Sequence, residues 1–252
     1  MRLLQAEKGK VTGFTLVEMA IVLVIIGIIL AGVMKGRDIV RGSQVKQFSQ
    51  GYAQKWVTIA STYYDKVGQN FMDGSDNGNN GGGNPDGRMD GVPCWSQNSG
   101  YAAADRSDGL QVLRDVGITP CTMIKSDLNN DTATTSCNNG YNIWERTVEG
   151  EWSGKATVGV GFYSYLINNA RRNCVVIGAV PADVAIGLDT LIDGQADGEN
   201  GLCVSMSPPG TAYNPGSATD FVANDSALTT QEWPTQDTGQ ARLVNVALIL
   251  DF

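Results

Sequence analysis

Residues 14–34 read FTLVEMAIVLVIIGIILAGVM, and Glu18 is their single charge. As a helix rising about 1.5 Å per residue, this run spans roughly 30 Å, the thickness of a bilayer's hydrocarbon core. A water-soluble fold has few ways to hide so long an apolar rod. Arg2, Lys8 and Lys10 precede it, which places the N-terminus on the cytoplasmic side. The run is too long for the apolar stretch of a secretory signal peptide, and no clear small-residue cleavage site ends it. A simple anchor does not explain Glu18, because a carboxylate within an apolar span is costly and marks function.

Helical periodicity continues beyond Lys35. Val45, Phe48, Tyr52, Trp56, Ile59, Tyr63 and Val67 recur every three or four residues, so one apolar stripe runs along an amphipathic helix. The expectation is one helix from Phe14 to near Gly68, membrane-embedded over 14–35 and amphipathic over 36–68, with residues 69–252 forming an extracytoplasmic globular domain. The predicted fold class is α+β: this long helix packed on a small antiparallel sheet with long Gly/Asn/Asp-rich loops. Strands are expected at 140–148, 156–162, 174–180, 201–206 and 242–252, with helices near 107–116 and 184–192. The stretch from Gln69 to Gly91 is rich in Gly, Asn and Asp. It reads as a loop unable to bury apolar area.

Composition narrows the chemistry. The chain carries no histidine and a net charge of −8. The first excludes the commonest general base and Ser-His or Cys-His nucleophile pairs; the second disfavours nucleic acid as a partner. No enzyme activity is expected, although Asp189 and Asp193 form a carboxylate pair of the kind that hydrolyses glycosides. Five cysteines follow the apolar run. In an exported domain their natural use is disulfides, and an odd number leaves one over. The expected pairs are Cys174–Cys203, linking two strands, and Cys121–Cys137, closing a polar loop.

Asp193-Gly194-Gln195-Ala196-Asp197-Gly198 places oxygen-bearing side chains at positions one, three and five of a calcium-type loop, with glycine at six. Val204 stands where the bidentate carboxylate belongs, so Asp189 and Glu199 are the candidates to complete a Ca²⁺ site with Asp193 and Asp197. The alternative is a solvated turn that uses these side chains for local backbone hydrogen bonds.

Gly13-Phe14-Thr15-Leu16-Val17-Glu18 resembles the G-F-T-L-x-E signature of type IV prepilins and type II secretion pseudopilins. The segments at 81–91 and 186–204 are similar, more loosely, to a subgroup of bacterial pilin-like proteins. The resemblance implies a prepilin leader at 1–13, cleavage between Gly13 and Phe14 by a membrane-embedded prepilin peptidase, and N-methylation of Phe14. It also implies that Glu18 neutralises the Phe14 amine of a neighbouring subunit. Two charges in an apolar bundle are tolerable as a pair. The partners so implied are homologous subunits, the peptidase, inner-membrane assembly machinery and, before assembly, membrane lipid. The precursor would lie in the bacterial inner membrane as a single-pass protein, and the product in a surface pilus or periplasmic pseudopilus. A filament-tip adhesion module is the alternative, with Trp95, Trp144, Trp152 and Trp233 as candidate contacts.

Overall fold

The computed structural model describes residues 15–80, 82–94, 102–125, 127–128, 137, 140–206, 224–228, 230–234 and 243–252. The chain divides between Ser43 and Gln44 into two units. The first contains most of helix α1 (Leu16–Phe48). Its large apolar side chains from Leu16 to Val40 are 47–87% exposed, far more contiguous apolar surface than a monomer in water tolerates.

The second unit begins with the end of α1, passes through a π-helical stretch at Ser49–Ala53 and continues as α2 (Gln54–Val67). Gly68 ends α2 in the left-handed conformation, φ 75°, its N–H bonded to the Tyr64 carbonyl at 2.7 Å, a termination for which glycine has no Cβ penalty. The predicted stripe is the buried face: Phe48, Tyr52, Trp56, Ile59 and Tyr63 are within the core, while Val67 at its end is 36% exposed.

That face packs on one antiparallel sheet. Its strands are β1 (Asp90–Pro93), β2 (Glu145–Gly150), β3 (Gly154–Ile167), β4 (Ala170–Pro181), β5 (Cys203–Ser205) and β6 (Leu243–Ile249). The order is β1-β3-β4-β6-β5, and β2 pairs with β3 as well. β3 and β4 form a long hairpin closed by Asn168 and Asn169, φ 50° and 61°, the signature of a two-residue turn that matches strand twist. Alternation sorts the strand residues. Val158, Val160, Phe162, Val175, Ile177, Val246 and Leu248 join the helix-side core, while Tyr163, Tyr165, Cys174, Val176, Val204 and Ala247 form a second cluster. Trp56 stacks on Trp144 at 4.8 Å and meets the Phe162 ring edge-on at 5.8 Å, and the Tyr52 hydroxyl donates to the Trp144 carbonyl at 2.6 Å. Helices α3 (Ala102–Asp115), α4 (Pro120–Met123) and α5 (Ala182–Asp193) are the further helices among the described residues of the unit.

Several boundaries differ from expectation. The run at 140–148 enters the sheet only at Glu145, because Asn142 accepts the Trp144 N–H and donates to the Glu145 carboxylate instead of pairing with a strand. The β3 and β4 strands are longer than predicted, and β1 was not anticipated. The loop from Gln69 to Gly91 requires a larger correction: Phe71, Met72 and Met89 are fully buried. Phe71 lies edge-on to Phe162 at 4.9 Å and near Tyr63 at 5.5 Å. Polar side chains hold the loop in place. Asp73 accepts the N–H groups of Asp86 and Gly87, Asp90 accepts from Gly74 and Asn79, and Asn77 accepts from the Tyr63 hydroxyl. Asp and Asn supply the partners the backbone lacks outside regular structure, so three apolar side chains suffice to anchor it.

Candidate functional site

Gly13 and Phe14 lie outside the described residues. Glu18 stands on the first turn of α1. Its Oε2 accepts both the Thr15 N–H and the Thr15 hydroxyl at 2.8 Å, and its own N–H donates to Thr15 Oγ1 at 3.2 Å. This is a reciprocal capping box, which satisfies two of the donors that a helix start leaves open. Thr15 is thus the hydrogen-bonding partner of Glu18 in this chain, and the spacing Thr15-x-x-Glu18 is its sequence signal. The rest of the segment supplies only apolar side chains. Among the described residues, one helix, within Leu16–Val67, is long and apolar enough to cross a membrane, its most apolar 18-residue stretch having a mean hydropathy of 2.9.

The second predicted site is the acidic turn after α5. Asp189 is fully buried. Its Oδ2 accepts from Trp233 Nε1 at 2.6 Å and from the Gly198 N–H at 3.0 Å, while Oδ1 has no hydrogen-bond partner among the described residues. Burial pushes its carboxyl up to about 6; the donors Trp233 and Gly198 oppose the shift and Asp193, one helical turn on, adds to it. Asp193 accepts the N–H groups of Leu202 and Cys203. Gly201, φ 96°, leaves the space in which that carboxylate sits. Asp197 accepts from the backbone of Glu199 and Asn200, which holds its carboxyl below the usual range. The three carboxylates therefore organise the turn through backbone N–H groups. Among the described residues, no group of three or more His, Cys, Asp or Glu side chains is placed to hold a metal ion.

The cysteines separate into two kinds. Cys121 and Cys137 are joined, with Cα atoms 5.6 Å apart. Cys174 and Cys203 are free and buried, as is Cys94, so the expected Cys174–Cys203 bridge is not formed. Strand β6 lies between the two, pairing Cys174 with Ile249 and Cys203 with Leu248. The two thiols also belong to different core clusters. A disulfide needs Cα atoms within about 7 Å and converging side chains, and two strand spacings amount to roughly 10 Å. Burial pushes the Cys174 thiol up to about 12 and raises Cys203 as well.

Of the tryptophans offered as surface contacts, Trp144 and Trp233 are buried, Trp152 is half-buried, and Trp95 lies outside the described residues.

No curated protein and no solved structure matches the chain. A family model does: the prokaryotic N-terminal methylation motif, over residues 8–34. That range spans the end of the basic segment, Gly13, Phe14, the Thr15–Glu18 box and the apolar helix. The match covers this N-terminal segment and supports the resemblance to type IV prepilins and pseudopilins there.

Proposed function

We propose that the chain is a structural subunit, of a minor or specialised kind, of a type IV pilus-like filament. The observation that carries this reading is the methylation motif at 8–34 joined to an α1 segment whose apolar side chains have no cover within their own unit. In the precursor, lipid covers that surface. Prepilin peptidase cuts between Gly13 and Phe14 and the new Phe14 amine is methylated. The same surface then enters a bundle with the helices of homologous subunits, with no change in the chemistry of what is buried. The Glu18 carboxylate, satisfied by Thr15 in the isolated chain, exchanges those partners for a neighbour's Phe14 amine. The chain thus acts through partition and packing. A large second unit with long ordered loops fits a specialised position better than a densely repeated one.

Mass spectrometry on filaments sheared from native cells tests this. A peptide beginning with N-methylated Phe14 in those filaments is the expected result. Processed protein confined to the cell envelope would instead assign the chain to a secretion pseudopilus. Met1–Gly13 retained in cells with active prepilin peptidase would refute both.

A further inference from the structure

A pocket of about 500 Å³ opens beside the Cys121–Cys137 bridge, in the size range of small-molecule sites. Its floor is apolar and buried: Pro120, Ile124 and Ile143, with the bridge itself. The disulfide ties α4 to Cys137, and Cys137 pairs with Tyr141, so the floor and the aromatic wall are held together covalently and by backbone bonding. Tyr141 is 47% exposed and lines the pocket.

The charge of the lining sets it apart. In a chain of net charge −8, the described lining residues include Arg114 and Lys125 and no carboxylate. Among the described residues, neither cation is joined to a carboxylate, in contrast with Arg88 and Arg171, which pair with Asp86 and Asp225. The contact made by the Arg114 guanidinium is to Cys121 Sγ at 3.9 Å, a weak acceptor that leaves its fork of donors available. Two cations without a carboxylate partner among the described residues, at the edge of an apolar floor, complement a ligand with one anionic end and an apolar body.

We propose that this pocket binds a small organic carboxylate carrying an aromatic or short aliphatic group. The carboxylate lies between Arg114 and Lys125, and the apolar body lies against Ile124, Ile143 and the Tyr141 ring. This site is independent of the filament reading, and its failure would leave that reading untouched.

The test uses the full chain in detergent micelles and trifluoromethyl-benzoate as the probe, followed by fluorine NMR with protein-free micelles as the reference. Saturable binding is expected, weakened about tenfold or more for the uncharged trifluoromethyl-benzamide. The double variant Arg114→Gln, Lys125→Gln should lose benzoate affinity by a similar factor, while Lys155→Gln, outside the pocket, leaves it unchanged. The proposal is overturned by absence of saturable binding in the millimolar range, by equal affinity for the amide, or by retained affinity in the double variant. The benzoate–benzamide comparison needs no substitution, so it decides even if the double variant fails to fold.

Discussion

Replacing Trp56 with alanine is the most direct test of how α2 is held on the sheet. Trp56 is fully buried, stacked on Trp144 and edge-on to Phe162. It therefore contributes chiefly through burial and ring contact. Truncating a buried tryptophan costs about 3–5 kcal/mol, because lost transfer energy adds to that of an incompletely collapsed cavity. The stacked pair supplies about 1 kcal/mol of geometry-specific attraction, part of which is already inside that range. We take about 4 kcal/mol. For a unit of this size, each kcal/mol shifts the melting temperature by roughly 2–4 °C, which gives a fall of about 8–16 °C. Thermal unfolding of the full chain in micelles, followed by near-ultraviolet circular dichroism, reads the sheet unit through its tertiary packing. Trp56→Phe keeps a ring in the stack and should recover at least half the loss. A Trp56→Ala chain that melts within about 3 °C of the parent would mean that the helix is not docked through this stack, and the packing account would fail.

Four further outcomes follow from the same contacts. Thr15→Val removes the hydroxyl that accepts the Glu18 N–H and donates to its carboxylate, leaves the bond from the backbone N–H of residue 15, and should fray the start of α1 by about 1 kcal/mol, seen as faster amide exchange at Leu16–Met19; unchanged exchange would show the hydroxyl to be unimportant there. Reducing the Cys121–Cys137 bridge, or replacing both residues with serine, should cost about 3 kcal/mol for a loop of this length, measured by denaturant unfolding. A thiol reagent should find Cys94, Cys174 and Cys203 unreactive in the native chain and count three thiols after denaturation; a count of one would restore the Cys174–Cys203 bridge. The Asp105 and Asp189 carboxyls are both pushed up to about 6, chiefly by burial. A folded pKa above the unfolded one gives stability that is complete below about pH 4 and is lost as pH rises through 6. Their contribution should therefore increase on acidification from pH 7 to 5, and Asp189→Asn should flatten the profile of unfolding midpoint against pH.

The sequence alone determined the parts whose information is local. An uninterrupted apolar run has one stable conformation in lipid, because only a helix satisfies its own backbone there. The stripe from Phe48 to Tyr63 could be read because helical spacing puts those residues on one face whatever they pack against. Strands β2 to β6 were legible as short aliphatic runs, and Gly13-Phe14 and Glu18 as a motif of contiguous residues. Tertiary structure decided what depends on distant partners. Whether Phe71 is buried is set by Tyr63 and Phe162, which lie outside its loop. Whether Cys174 meets Cys203 is set by the placement of β6 between their strands. The acidic turn shows the same division. Its Asp and Gly spacing suggested oxygen ligands, but where each carboxylate points depends on which backbone N–H groups the fold brings within reach, and for Asp189 on an indole 44 residues away. Local patterns specify conformation; hydrogen-bond partners and packing neighbours exist only once the chain has closed on itself.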